Sequence, residues 1–151
     1  LTPEDNAYLH RRFFRPEPRL AFADLARNLM SSAIDVSDGL HADAEHLAKT
    51  SAVRLRINLD QLPFSQSVLR LTSEAERVNA ALYGGDDYEL CFTAETVYRG
   101  QIDAVAASAG LRVTAIGEVE YGSGISLFDR GVAVPANHQR GFDHFSRVDP
   151  R

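Results

Sequence analysis

The chain has 151 residues, 44% of them hydrophobic and 9% aromatic, enough to bury the core of one compact domain. A formal charge of -5 and an isoelectric point near 5.5 argue against a nucleic-acid backbone as the main partner. No apolar run approaches the roughly 18 residues that a membrane-crossing helix needs, and no secretory leader pattern opens the sequence.

The single cysteine, Cys91, has no partner for an internal disulfide, which fits a reducing cytoplasm. It sits inside the apolar run "YELCF" with no neighbouring base, and is read as a buried packing thiol. The first residue is Leu1, and "LTPEDNAYLHRRFFRPEPRL" reads as a continuation. Residues 1–151 are therefore expected to form a single domain of a longer protein.

In chain order, a first helix is predicted over Pro3–Phe14, with Thr2 as its cap and Pro3 in its first turn. Pro16 and Pro18 break it. "RLAFADLARNLMS" spaces Leu20, Leu25 and Leu29 for an amphipathic helix, and "AIDV" reads as a short buried strand. Leu40, Ala44, Leu47 and Ala48 then repeat at helical spacing, so a helix is predicted from about Asp38 to Ser51, with Asp43 away from its apolar face.

"VRLRINL" alternates without fault and predicts a half-buried strand. "QLPFS" turns, a helix covers Ser73 to Leu82, "YGGDD" interrupts, and "YELCFTA" is a third strand. A helix follows near Thr96–Ala109, with Gly110 just past its end. "LRVTAIGEVE" is a fourth strand, and "ISLFDRGVAVP" a hairpin turning at Asp129, Arg130 and Gly131. No period marks the tail "NHQRGFDHF". The fold class is α+β, with a central mixed sheet flanked by helices.

Chemistry concentrates in "AIDVSDGL", Ala33 to Leu40. A helix start offers unpaired N–H groups and partial positive charge, both favourable to phosphate. Gly39 lets backbone come close, and Ser37 or Asp38 can cap the helix. Asp35 and Asp38 are hard oxygen ligands of the kind Mg²⁺ takes beside substrate phosphates. The plainer alternative is a capping Asp38 and a strand-end Asp35. Against it stands the cost of several kcal/mol for an unpaired carboxylate if Asp35 were buried in its apolar strand. Neither an EF-hand nor a P-loop matches. His41 and His46 do not share the i, i+4 face of a metal pair.

A second stretch, "ALYGGDDYELCF", again places two glycines and two carboxylates before an apolar strand. By itself it reads as a turn at Gly84 and Gly85 with Asp86 and Asp87 solvated.

Together, "AIDVSDGL", "GGDDYEL" and the late "GFDHF", with "RPEPRL" and "RINLDQLP", resemble the C-terminal domain of the thiamine-monophosphate kinase family over essentially the whole chain. That family belongs to the superfamily of aminoimidazole-ribonucleotide synthetase, selenophosphate synthetase and the hydrogenase-maturation dehydratase. The resemblance implies ATP- and Mg²⁺-dependent phosphorylation of thiamine monophosphate to thiamine diphosphate by direct phosphoryl transfer. It implies magnesium ligation by Asp35 and Asp38, with ATP contacts at Ser37 and Gly39. It implies substrate contacts from Asp86, where the family usually has Glu, and from Phe142, with Gly85, Asp87 and Tyr88 supporting the loop.

It further implies a missing N-terminal domain that supplies more acidic ligands, much of the nucleotide site and a homodimer interface. The isolated chain is accordingly expected to be inactive and to bind ATP weakly. Two rivals stay open: another ATP-dependent synthetase of the superfamily, and a non-catalytic ligand-binding module.

Overall fold

The computed structural model of the protein describes residues 1–135; Phe142 and the rest of "GFDHF" lie outside the described residues. In chain order the elements are α1 (Pro3–Phe14), α2 (Leu20–Ala26), β1 (Ser32–Asp35), α3 (Leu40–Ser51), β2 (Arg54–Asn58), α4 (Gln66–Leu71), α5 (Glu74–Tyr83), β3 (Leu90–Thr93), α6 (Arg99–Ser108), β4 (Gly117–Glu120), β5 (Gly124–Asp129) and β6 (Val132–Val134). The class is mixed α+β, with six α-helices and two sheets among the described residues.

The larger sheet has the order β4-β2-β5-β6 and is mixed, because β2 and β5 run parallel while β4 and β6 run antiparallel to their neighbours. The alternation read in "VRLRINL" holds. Leu55 and Ile57 are buried, and Arg54 is exposed on the other face. Arg130 and Gly131 both have positive φ, 47° and 81°, which turns the β5–β6 hairpin at the expected place.

β1 and β3 form a separate antiparallel ribbon. Pairing Ile34 with Cys91 and Ala33 with Phe92 gives this ribbon two working faces. Ile34 and Cys91 pack against Leu40, Ala44, Leu47 and Leu82, the core beneath α3 and α5. Leu90 and Phe92 pack on the opposite face against Phe22, Ala26, Ile102 and Ala106, the core of α2 and α6. Each fully buried leucine or isoleucine here is worth about 2 kcal/mol. The ribbon thus divides two small cores, and both chemical motifs sit at one of its ends.

Three expectations change. In α2 the buried positions are Phe22 and Ala26, whereas Leu20 and Leu25 are 74% and 59% exposed. The helix is only 7 residues long, and one i, i+4 pair, Phe22 and Ala26, gives its buried contact with α6. α4 is present where only a turn was read; its 6 residues are too few to show a period, and its cap is the Ser65 hydroxyl, which accepts the Val68 N–H. The fourth strand begins only at Gly117, because Leu111 and Val113 pack into the α2–α6 core instead of extending the ladder.

α1 is anchored by a buried acid. Asp5 is 3% exposed and accepts hydrogen bonds from the Ser67 hydroxyl at 2.6 Å and from Arg70, tying α1 to α4. The Ser67 bond first, then the Arg70 bond, hold its carboxyl well below the usual aspartate range.

Candidate functional site

The two motifs that the sequence separates are joined in space. Beyond the β1–β3 ladder the backbone pairing continues. The Val36 N–H donates to the Glu89 carbonyl at 2.8 Å, the Tyr88 N–H to the Val36 carbonyl at 2.8 Å, and the Asp86 N–H to the Ser37 carbonyl at 2.9 Å. The S-D-G turn and the G-G-D-D loop are therefore two sides of one corner. Two of its glycines are demanded by close backbone packing, Gly39 against the end of α5 and Gly85 against the turn. A β-carbon on Gly39, which has a φ of 103°, would meet the Leu82 carbonyl at 2.8 Å, and one on Gly85 would meet the Ser37 carbonyl at 2.5 Å.

The helix start differs from expectation. Gly39 is the N-cap residue of α3, and neither Ser37 nor Asp38 caps it through a side chain. Instead Asp43, one turn into α3 and 4% exposed, reaches back. A single carboxylate oxygen of Asp43 accepts both the Ser37 and the Asp38 backbone N–H, each at 2.9 Å. Two successive N–H groups converging on one anion form a small cradle. Here the anion is the chain's own. Sequence reasoning placed Asp43 off the apolar face, yet Leu40, Asp43, Ala44 and Leu47 follow the i, i+3, i+4, i+7 spacing, and that stripe was the available signal.

Asp35 and Asp38 are both exposed, and neither side chain makes a hydrogen bond or ion pair to a described residue. Asp35 does not sit in an apolar interior, so it bears no burial penalty. It pairs with Leu90 at the ribbon's end, while Asp38 borders a groove of about 420 Å³ between β1 and α3, lined also by Ile34, Asp43, His46 and Thr50. Among the described residues no group of three or more His, Cys, Asp or Glu side chains is placed to hold a metal. Both carboxylates are hard oxygen donors of the kind Mg²⁺ takes. They do not form a complete cage.

On the facing loop, Asp86 and Tyr88 have left-handed backbone, with φ of 64° and 50°. For a side chain as large as tyrosine that conformation costs of order 1–3 kcal/mol and marks a constrained loop. The Tyr88 hydroxyl donates to Asp86 at 3.4 Å. Asp87 is open to solvent at its surface. Loss of water around its carboxyl still raises its pKa, opposed by Arg12 and reinforced by Glu89 and Asp86.

Glu89, not singled out from the sequence, fixes the corner to the first helices. Arg19 grips it with two bonds, at 2.8 and 2.7 Å, and Arg12 adds a third at 2.5 Å. Burial pushes the Glu89 carboxyl up, but Arg19 and then Arg12 outweigh it and leave the group below the usual glutamate range. The available signal was the arginine-rich "RRFFRPEPRL", two of whose four arginines, Arg12 and Arg19, bind Glu89.

Cys91 is a packing thiol, as expected. Burial first, and the charge of Asp43 second, push it up to about 11.

No family model matches the chain. Thiamine-monophosphate kinase of Salmonella typhimurium is 36% identical over 143 residues, 94% of this chain and 44% of its own length. The solved thiamine-monophosphate kinase from Stenotrophomonas maltophilia K279a superposes with a TM-score of 0.81 at 37% identity, over 89% of this chain and 42% of that one. AaThiL, solved complexed with AMPPCP and TMP, gives a TM-score of 0.73 at 31% identity, over 96% of this chain and 43% of that one. The chain spans under half the length of the relatives it matches. In sequence and fold alike, with its two motifs folded into one corner, the chain is similar to thiamine-monophosphate kinases over under half of their length.

Proposed function

We propose that the chain is the C-terminal domain of a thiamine-monophosphate kinase, and that the whole protein transfers the terminal phosphoryl group of ATP to the phosphate of thiamine monophosphate. The observation that carries this reading is the joining of the S-D-G turn to the G-G-D-D loop through the Ser37–Asp86 backbone bond. It is supported by the relative AaThiL, which is complexed with an ATP analogue, AMPPCP, and TMP.

Charge at the corner favours a metal-dependent reaction. Asp35, Asp38, Asp43, Asp86, Asp87 and Glu89 crowd the two motifs, and Arg12 and Arg19 both pair with Glu89. Two phosphate-bearing reactants would be repelled unless cations accompany them. Asp35 and Asp38 would hold Mg²⁺, which would supply positive charge beside the phosphates. The chain's own part is positioning: Ser37 turns its partly exposed hydroxyl to the nucleotide phosphates, and buried Gly39 lets that turn sit against α5.

On the facing loop the exposed Asp86 contacts the acceptor, one methylene shorter than the usual Glu. Gly85, Asp87 and Tyr88 fix its backbone. Phe142 stacks on the acceptor's flat cationic ring system. A second domain completes the metal and nucleotide sites and carries the homodimer contact, so residues 1–151 by themselves are inactive. The protein works in the cytoplasm, where ATP and Mg²⁺ are available.

Incubating the full-length protein with ATP, Mg²⁺ and thiamine monophosphate tests the reading: thiamine diphosphate and ADP should appear in equal amounts. Turnover of ATP with the acceptor of an aminoimidazole-ribonucleotide or selenophosphate synthetase, and none with thiamine monophosphate, would replace it with another synthetase of the superfamily.

A further inference from the structure

The phosphate-like cradle at the start of α3 is already filled. Asp43 occupies the Ser37 and Asp38 amides with one oxygen at 2.9 Å to each, so those amides cannot also receive a nucleotide phosphate. What the contact does is fix the turn. Asp43 stands on α3, whose neighbours Ala44, Leu47 and Ala48 are buried in the core, so the helix position is rigid. The amides it holds belong to the residue that contributes the free Asp38 carboxylate and to the residue immediately before it. The same turn is held from its other side, where the Ser37 carbonyl accepts the Asp86 N–H at 2.9 Å. Ser37 thus lies between Asp43 and Asp86, each bound to a different end of its backbone.

We infer that Asp43 is a positioning residue for the metal–nucleotide site: it sets where the Asp38 carboxylate stands, and leaves phosphate binding to side chains and cations. The inference rests on the proposed kinase reading. The other carboxylate oxygen of Asp43 makes no hydrogen bond to a described residue, and Asp43 lines the same groove as Asp38. An amide can replace that oxygen without a steric change. Asp43→Asn therefore keeps the shape but weakens the hold on both N–H groups, since a charged acceptor binds them about twice as strongly as a neutral one.

The test uses the full-length protein and the variants Asp43→Asn and Asp43→Glu. Three quantities are read: hydrogen exchange at the Ser37 and Asp38 amides, the Mg²⁺ concentration for half-maximal phosphoryl transfer, and KM for thiamine monophosphate. For Asp43→Asn we expect faster exchange at both amides and a Mg²⁺ requirement raised about tenfold, the scale of a lost supporting contact. KM for thiamine monophosphate should stay within about twofold, since the effect is confined to the metal-bearing turn. Asp43→Glu should be the weaker of the two at the amides, because its longer arm misplaces the acceptor.

An unchanged Mg²⁺ requirement alongside faster exchange would overturn the inference, and so would two variants that both fail to fold, which would make Asp43 a fold residue only. Wild-type protein with no activity on thiamine monophosphate would instead refute the kinase reading, and protected amides that loosen in Asp43→Asn would remain as a separate result.

Discussion

Gly85 lies directly against the Ser37 carbonyl, so closely that a β-carbon at position 85 would stand 2.5 Å from that oxygen. This contact is where the two motifs meet. Gly85→Ala should force the loop off the turn, at a cost of about 1–3 kcal/mol in chemical denaturation. Activity should fall more than stability, because the displaced backbone carries both Ser37 and Asp86. A variant as stable and active as wild type would mean the loop has slack there.

The Glu89 cluster makes stability pH-dependent in a defined direction. Its folded carboxyl is held below the ordinary value by Arg19 and Arg12 against the opposing effect of burial. The contribution is therefore complete above the unfolded value and is lost as pH falls through the lower folded value. Glu89→Gln should destabilise the protein at pH 7 by on the order of 1 kcal/mol, a modest figure because 45% of the side chain is solvent-exposed and screened. Urea midpoints of wild type and variant should converge below about pH 4. A gap that is constant from pH 7 to pH 3 would contradict the ion-pair account.

Cys91 should be inert. With its thiol pushed up to about 11, almost none is thiolate at pH 7.5, and its body packs beside Ile34. Reaction with a thiol-specific reagent should run at the rate of unfolding in the native protein and become fast in denaturant.

Phe142→Ala should raise KM for thiamine monophosphate about 5- to 30-fold, the range of one lost cation–π or stacking contact, while KM for ATP holds. Equal increases for both substrates would take the ring away from the acceptor.

Much of this architecture could be read from the sequence because it is local. α1 follows from Thr2 and Pro3, α3 from its four-residue apolar stripe, β2 from strict alternation, and the last hairpin from Arg130–Gly131. What escaped is non-local or short. Nothing in "RLAFADL" tells which face of a 7-residue helix meets α6, and α4 is less than two turns long. The division of strands into two sheets depends on pairings such as Ile34 with Cys91, far apart in the chain.

At the site, the acids that face solvent were legible as candidate ligands, since their motif is compact. Asp43 and Glu89 were not, because their importance lies in partners elsewhere: two backbone amides for one, two arginines for the other.

The most direct measurement is the Mg²⁺ dependence of phosphoryl transfer to thiamine monophosphate in full-length Asp38→Asn and Asp35→Asn proteins, with folding checked by thermal melting. Both carboxylates are exposed and have no partner among the described residues, so melting should stay within a few degrees of wild type. The predicted result is a fall in kcat of about a hundredfold, the scale of one lost electrostatic contact to the transition state, with a raised Mg²⁺ requirement. Folded variants that keep kcat within twofold and need no more Mg²⁺ than wild type would contradict the account.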